Sequence, residues 1–408
     1  MKDKNKNKKS DLPGKKSSAV IGLLICGIFG LLLGMLIVAF DSEELIPSEF
    51  TALPSYFTVI IFILTYFIAI SVHELTHFIV FKFGNIEMRA LFLTIFLFIK
   101  ENGAWRFRIK PNAVTAIGGI AIPDTPSIEN EEKFKTVQKA FANAIIAAPI
   151  ASILFFLITM LLSLPTYFMD VNEYLKSFIF TFDASLFIIS LFLVLSCFIK
   201  SEVAIGDFPA YKMAKEDDFF TAIQLYQYMA FSSEPEDIRK NSGFLSDKIN
   251  NYLHKEYDDK SLNIFTLSIV DYDLTLFLAG EEDKLTQPVK DYIEYFSDNV
   301  EILLTHKHKE VSKSLLFHIV CYLSLDESTR QKARNLFEII MSKTKQRTKV
   351  INYFAKQAEH LLRIKDNSLF LNNKKNIRTS SAWGLWSVFP KYYEYECKIN
   401  NLKMPGDL

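Results

Sequence analysis

The second long apolar stretch of the chain contains one cluster of polar side chains, His73-Glu74-Leu75-Thr76-His77. On a helix, His73 and His77 lie one turn apart on the same face, so both imidazoles can reach one metal ion. Glu74 projects beside them, where it can take a proton from water at the metal. Zinc suits this pattern because it accepts neutral nitrogen donors and lowers the pKa of its water to about 7. The spacing therefore predicts a zinc-dependent hydrolytic centre.

The surroundings of this cluster favour a functional interpretation. No other Asp, Glu, His, Lys or Arg lies between Glu49 and Lys82. Ionisable groups are costly inside an apolar span and are candidates for function when they occur there. The alternative interpretation is a polar cluster that only holds helices together.

Two histidines do not complete a zinc site, and a third ligand must come from elsewhere in the chain. Asp207 follows the fourth apolar stretch on the side nearest the cluster, but an Asp and a Pro there could equally form an ordinary helix-capping turn. Asp183 lies near the opposite end of that stretch and is expected to be too far away. The other histidines are expected on the surface of the charged second half: His254, His306, His308, His318 and His360. The cysteines are expected to be small buried side chains: Cys26, Cys197, Cys321 and Cys397.

The elements that position these residues follow from the distribution of apolar residues. Half of the 408 residues are hydrophobic, and they form long uncharged runs before about residue 200. About 20 apolar residues cross a bilayer, so spans are predicted at 17–40, 56–81, 141–164 and 178–198. The first follows a lysine-rich head, 1–16, and is interpreted as an uncleaved signal anchor.

The 46 basic and 46 acidic residues balance, which excludes nucleic-acid binding through bulk positive charge.

Basic residues set the orientation of the spans. The connection 41–55 contains four acidic residues and no Lys or Arg, whereas 82–139 contains nine basic residues. Because basic loops stay in the cytoplasm, the head, the long connection and the tail are predicted to be cytoplasmic. The chain is thus expected to be a multi-pass protein of the cell membrane, and its Lys-, Asn-, Ile- and Phe-rich composition suggests a bacterial source.

The region of about 85–125 after the histidine helix predicts a small sheet. Residues 90–99 are apolar but too few to cross as a helix, so they indicate a re-entrant or interfacial segment. Residues 104–110 alternate between apolar and basic, which is typical of a half-exposed strand, and 113–122 form a second strand candidate. An edge strand here could hold an unwound peptide by backbone hydrogen bonds. An inert interfacial hairpin is the alternative.

Four features in this order resemble the site-2 proteases, a family of intramembrane zinc metalloproteases, over roughly residues 55–215. They are the histidine cluster, the glycine pair Gly118-Gly119, the small-residue run 144–151 and Gly206-Asp207. The chain departs from the family pattern at a few positions: Ala148 replaces a glycine, Phe208 follows the aspartate, and Ile199 and Glu202 replace an upstream Asn and Pro.

The resemblance implies the role of each matching residue. Zinc would be held by His73, His77 and Asp207, and Glu74 would carry the proton during peptide-bond hydrolysis. Gly118 and Gly119 would belong to the substrate-binding structure. The implied substrate is a membrane-inserted or short peptide, such as a membrane-anchored regulator or a peptide precursor, and no nucleic acid is involved.

From about residue 215 charges recur every few residues, and 215–408 is predicted to be an all-α cytoplasmic domain. Amphipathic helices are expected at 217–231, 288–304, 309–323, 328–343 and 345–364, without a clean 34-residue repeat. The aromatic residues near the C-terminus could be a docking surface or the core of the last unit: Trp383, Trp386, Tyr392, Tyr393 and Tyr395. The tail is interpreted as a regulatory or partner-binding module.

The predicted fold is an α-helical polytopic membrane protein with a small membrane-associated sheet after the histidine helix and a C-terminal helical domain. Residues 17–214 form the predicted four-span core. The leading function is an intramembrane zinc endopeptidase. A catalytically idle membrane scaffold that binds partners through its tail is the alternative, and an intact Glu74 argues against it. A zinc transporter would need polar residues along several spans, and only the second span has a dense cluster.

Overall fold

A computed structural model describes residues 47–110, 118–200, 205–229, 231–232, 239, 241–259, 262–306, 309–344, 348–378 and 390–402. The predicted span 17–40 lies outside these residues, as do Glu202, His308, Trp383, Trp386 and the first residues of the strand candidate 113–122. The chain divides into two compact units. The first comprises residues up to Pro123 and Lys135–Thr221, and the second comprises Asp124–Phe134 and Ala222–Leu408.

Three helices among the described residues are long and apolar enough to cross a membrane, judged by length and composition. They are α1 (Ser55–Phe83), α2 (Glu131–Phe168) and α3 (Glu173–Ser196). Pro54 precedes α1 and Gly84 ends it. The helices overlap the predicted spans 56–81, 141–164 and 178–198, but α2 begins ten residues earlier because charged residues, which do not count toward an apolar span, form its first turns.

Helix α3 packs along α1 beside the histidine cluster. Ala69 and Ile70 of α1 form an apolar cluster with three buried residues of α3, Leu186, Ile189 and Leu193. The opposite faces of the long helices carry exposed apolar side chains, a composition that suits hydrocarbon rather than water. Examples are Ile60, Ile63, Leu64, Leu157, Leu161 and Leu162.

An antiparallel sheet follows α1. Its strands are β1 (Met88–Leu93), β2 (Phe96–Glu101), β3 (Ala104–Ile109) and β4 (Gly119–Pro123), in the order β3-β2-β1-β4. All six residues of β1 are buried, as expected for a central strand, whereas β3 is largely exposed. The sequence-predicted strand at 104–110 is confirmed. The segment 90–99 is neither a helix nor a single re-entrant piece, because it turns at Thr94 (φ 55°) and runs back as β2.

Strand β4 is placed by its pairing with β1. Leu91 pairs with Ala121, and Leu93 pairs with Gly119. The register shifts between Met88 and Ala90, so that Arg89 is an extra residue in β1. Such a bulge bends a strand and fixes its register. Among the described strands β4 has a partner on one side only, and helix α1 lies near it.

Short helices build the rest of the structure. After the three long helices come α4 (Asp207–Glu216), α5 (Asp218–Met229), α6 (Gly243–Asp258), α7 (Ile264–Leu278), α8 (Gln287–Asp298), α9 (Val300–Leu304), α10 (Lys309–Ser324), α11 (Arg330–Lys343), α12 (Lys349–Leu361), α13 (Ser368–Leu371) and α14 (Pro390–Asn400). The predicted helix 288–304 is broken at Asn299 into α8 and α9. Tyr392 and Tyr395 are buried, which favours the core interpretation for these two residues.

A buried polar network lies in the core of the second unit. Its centre is His318 of α10, whose Nδ1 is 2.7 Å from a carboxylate oxygen of Asp271. Glu396 of α14 accepts hydrogen bonds from Tyr353 and Gln357 of α12. The expectation of a surface position for His318 is therefore wrong, because this residue is completely buried. The network ties helices α7, α10, α12 and α14 together through charges that the sequence pattern does not reveal.

Candidate metal centre

Helix α1 presents the predicted cluster on one buried face. His73, Glu74 and His77 are 7%, 6% and 9% exposed, respectively. The two imidazole rings lie one helical turn apart, with their centroids separated by 5.0 Å and their planes nearly perpendicular. This is the arrangement expected from the spacing of the histidines, which places them on the same side of the helix.

Helix α2 orients both imidazoles through contacts with their Nδ1 atoms. Nδ1 of His77 is 2.8 Å from the backbone carbonyl oxygen of Ala144. A carbonyl can only accept, so the hydrogen of His77 sits on Nδ1 and the lone pair of Nε2 is available to a metal. Nδ1 of His73 lies 3.0 Å from the hydroxyl of Ser152, which can accept in the same way. Such contacts fix the tautomer and the orientation of metal-binding histidines.

The third predicted ligand, Asp207, faces the Nε2 atoms of both histidines. One carboxylate oxygen is 3.1 Å from Nε2 of His73, and the other is 3.8 Å from Nε2 of His77. Asp207 is the first residue of α4, after the N-cap Gly206, and its helix has no side-chain cap. Burial alone would raise the pKa of Asp207, but the hydrogen bond to His73 and the neighbouring histidines lower it on balance. The carboxylate is thus turned toward the imidazoles and not toward the helix amides.

Backbone contacts between the described ends of the α3–α4 connection bring Asp207 back to the histidines. The amide of Gly206 donates to the carbonyl of Ile199, and the amide of Phe208 donates to the carbonyl of Cys197. A Cβ atom at position 206 would lie 2.5 Å from that same Cys197 oxygen. Only glycine allows this close approach of two backbone segments.

The thiol of Cys197 is a member of the centre that the sequence reasoning missed. Its Sγ lies 3.3 Å from a carboxylate oxygen of Asp207. One ligand atom each from His73, Cys197 and Asp207 lies within 4.8 Å of the other two. In the sequence Cys197 is a single cysteine at the end of an apolar stretch, with no spacing that connects it to the histidines. Only the turn that follows α3 brings the thiol to the carboxylate.

Strand β4 closes over Glu74. A Cβ atom at Gly119 would lie 2.3 Å from Cγ of Glu74 and 2.6 Å from the carbonyl oxygen of Phe92. Gly118 has no described atom within 4 Å of such a Cβ. The predicted glycine pair thus lies at the candidate centre, with Gly119 in direct contact with the carboxylate side chain of Glu74.

A cavity of about 180 Å³ lies among these groups, with room for several water molecules. It is lined by Ile70, His73, Glu74, Gly118, Gly119, Leu193, Ser196, Cys197, Gly206 and Asp207. The donor set fits zinc, because two imidazole nitrogens and a carboxylate are typical of catalytic zinc sites. The orientation of the His77 lone pair toward Asp207 supports the same assignment.

Three titratable residues that were expected to lie away from the histidine cluster do so among the described residues. Asp183 is buried in α3, where it accepts a hydrogen bond of 2.8 Å from the hydroxyl of Tyr167. His254 and His360 form ion-pair contacts with Asp258 and Asp366 in the helical second unit. None of these three residues lines the cavity beside Glu74.

Comparison with known proteins identifies one family. The sequence model of the family described as Peptidase family M50 matches residues 61–365, which include the histidine cluster, the glycine pair and Gly206-Asp207. No curated protein matches the chain, and no solved structure does.

Proposed function

Because the chain belongs to peptidase family M50, the site-2 protease family, we propose that it is a zinc-dependent intramembrane endopeptidase. The observation that carries this proposal is the convergence of His73, His77 and Asp207 beside the cavity that Glu74 lines. These are the two imidazoles, the carboxylate and the general base that metal-assisted peptide hydrolysis requires.

Each side chain has a distinct task in this proposal. His73, His77 and Asp207 would hold the metal, and Ala144 and Ser152 would keep the imidazoles in orientation. Zinc bound there supplies the Lewis acidity that polarises a scissile carbonyl and activates water. Glu74 takes a proton from the attacking water and delivers it to the leaving amine nitrogen. The burial of Glu74 limits the number of water molecules that compete for this proton.

The substrate would be a membrane-inserted or short peptide, such as a membrane-anchored regulator or a peptide precursor. A helical substrate hides its peptide bonds, so it must unwind before cleavage. We propose that the unwound segment lies near Gly118 and Gly119 and pairs with the edge of the sheet, since β4 has one strand partner among the described strands.

We further propose a four-span core over residues 17–214, with the basic head 1–16 and the helical region 215–408 in the cytoplasm of a bacterial cell. The basic connection 82–139 and the acidic connection 41–55 support this orientation. The helical region would bind a regulatory protein partner. The lipid bilayer would surround the four-span core.

The metal content of the purified full-length chain tests the proposal. We expect about one zinc per wild-type chain, as for a single catalytic site, and loss of zinc in His77→Ala and Asp207→Ala. Asp183→Asn is the matched control, because it changes a buried carboxylate outside the cavity and should retain zinc. Glu74→Gln should retain zinc and lose peptide cleavage. A folded wild-type chain without zinc would contradict the proposal and favour the scaffold alternative.

A further inference from the structure

Cys197 lies beside two of the three proposed metal ligands, His73 and Asp207. Its Sγ is 3.3 Å from the carboxylate oxygen of Asp207 that is itself 3.1 Å from Nε2 of His73. In a tetrahedral zinc site with bonds of ordinary length, a sulfur and an oxygen ligand are about 3.5 Å apart. A nitrogen and an oxygen ligand are about 3.3 Å apart. These two separations are within a few tenths of an ångström of the expected values. Nε2 of His77 is 3.8 Å from the other carboxylate oxygen of Asp207, so binding of one ion by all four groups requires small shifts of the side chains.

The backbone holds the thiol and the carboxylate together. Cys197 and Asp207 are at the two ends of the turn between α3 and α4, and the carbonyl of Cys197 accepts from the amide of Phe208. The rings of Phe198 and Phe208 pack with their centroids 4.4 Å apart. Because Cys197 is 4% exposed and lines the cavity with Glu74, its sulfur faces the centre and not the bulk solvent.

We propose that Cys197 is a reversible fourth ligand that closes the metal centre at rest and leaves it when substrate enters. This inference rests on the proposed function, since the metal is the one that the peptidase would use. Catalytic zinc sites keep one coordination position open, whereas sites with four protein ligands are closed. A centre made of His73, His77, Asp207 and Cys197 has no position for water until the sulfur departs.

The exchange is a proton-coupled change of ligand without oxidation. As a metal ligand, Cys197 would be a thiolate whose proton has passed to water. As a displaced side chain, it would be a thiol that has taken a proton back from water. The thiol is then left as a hydrogen-bond donor to Asp207, which is the contact that the structure shows.

Absorption spectroscopy of the cobalt-substituted full-length chain tests this proposal without any activity measurement. Thiolate coordination to Co²⁺ gives an intense near-ultraviolet charge-transfer band, whereas visible ligand-field bands report cobalt bound by any ligands. We expect the near-ultraviolet band and the visible bands in the wild type. Cys197→Ala and Cys197→Ser should lose the near-ultraviolet band and keep the visible bands. Cys397→Ala is the matched control and should retain both, because Cys397 belongs to α14 of the second unit.

The outcomes separate the two proposals. Bound cobalt without a charge-transfer band in the wild type would overturn the ligand role of Cys197 and leave the metal centre intact. No cobalt bound in the wild type would overturn the metal centre and the thiol ligand together. Retention of the band in Cys197→Ser would also overturn the assignment, and this variant preserves the size of the side chain so that folding is maintained.

Peptide cleavage gives an independent readout. If the sulfur competes with substrate for the metal, Cys197→Ser should cleave an unstructured peptide at least about threefold faster than the wild type, because the competent fraction rises. A decrease in Cys197→Ala that Cys197→Ser restores would identify Cys197 as a hydrogen-bond donor that positions Asp207, and would overturn the proposal.

Discussion

At the scale of single residues, the position of Glu74 depends on the absence of a side chain. The α-carbon of Gly119 approaches so closely that a methyl group there would overlap Cγ and Cδ of Glu74, at 2.3 and 2.7 Å. The same methyl group would contact the carbonyl of Phe92 in β1. Neither group can move away easily, because Glu74 belongs to a buried helix face and the carbonyl of Phe92 to a central strand.

Gly119→Ala should therefore displace Glu74 and leave the metal ligands in place. We expect peptide cleavage to fall by about 100-fold or more, since a displacement of about 1 Å in a catalytic group has effects of this size. Zinc content should remain that of the wild type. Steady-state cleavage and metal analysis of the same preparation measure both quantities.

Gly118→Ala is the matched control for this prediction. Its methyl group meets no described atom within 4 Å and leaves Glu74 in place. Cleavage should therefore fall at least about tenfold less than in Gly119→Ala, and any loss that remains would come from the proposed contact of Gly118 with substrate. Equal losses in the two variants would show that the glycine pair acts through the flexibility of the strand and not through contact with Glu74.

The residues of the centre differ in how far the sequence reveals them. The spacing of His73, Glu74 and His77 is local to one helix, so the pattern alone predicts their common face. Asp207 is distant in the chain. Its position after the fourth apolar stretch made it a candidate no stronger than an ordinary capping turn, and the likeness to a family pattern then favoured it. Cys197 and Ser152 carry no such pattern. Their contacts depend on how a turn folds and how two helices pack, which are properties of the tertiary structure.

At the scale of secondary structure elements, the proline in the middle of α2 lies next to a contact of the metal centre. Pro149 has no backbone N–H to donate to the carbonyl of Ile145, and prolines bend helices at this point. The preceding carbonyl, that of Ala144, accepts from Nδ1 of His77. We infer that the loosened turn lets this carbonyl tilt toward the imidazole.

Pro149→Ala should restore the regular helix and weaken the support of His77. Loss of outer contacts to metal-binding histidines lowers metal affinity by about 10- to 100-fold, and we expect a decrease near the lower end of this range. Competition with a chelator measures the affinity. Pro165→Ala is the control, because it removes the other proline of the same helix at a position beyond Ser152, away from the centre. Equal effects of the two substitutions would contradict the explanation.

The long helices were predictable as elements, but the sheet was predictable only in part. Alternation of apolar and basic residues identified β3, although both of its faces are largely exposed. Residues 90–99 have no such alternation, since β1 is buried on both faces, so the turn at Thr94 gives no periodic signal. Asn102-Gly103 is a sequence signal that was available. Both residues have positive φ in the two-residue loop between β2 and β3, as in the common hairpin turns.

At the scale of the whole molecule, the buried network of the second unit makes stability depend on pH. Burial raises the pKa of Glu396 from its ordinary 4.5 to about 7. Burial alone would lower the pKa of His318, but the charge of Asp271 and its hydrogen bond raise it on balance. Both groups therefore bind a proton more tightly in the folded state than in the unfolded state. Each one stabilises the fold at low pH and loses this contribution as the pH rises through its folded pKa.

We expect the free energy of opening of α10 and α12 to decrease by on the order of 3 kcal/mol between about pH 5 and about pH 8. Hydrogen exchange of the full-length chain, corrected for the pH dependence of intrinsic exchange, measures this quantity. Burial also raises the pKa of Asp273 in α7 to about 7. Glu396→Gln should therefore reduce the change and leave the contributions of His318 and Asp273, whereas the exposed Glu394→Gln should keep the whole change. A stability that increases over this range would contradict the assignment.

The bulge at Arg89 has a consequence for how this protein can vary. The extra residue in β1 sets which residues of β4 stand opposite it, and so it determines that glycine, not its neighbour Ile120, meets Glu74. Because the side chains of a strand alternate between faces, a slip of one residue would turn every side chain of β4 over. Apart from Arg89, the residues of β1 can be exchanged for other apolar residues without changing this register. An insertion or deletion of one residue within Ala90–Leu93 would instead change the phase of the strand, so the number of residues in this stretch is constrained more strictly than their identity.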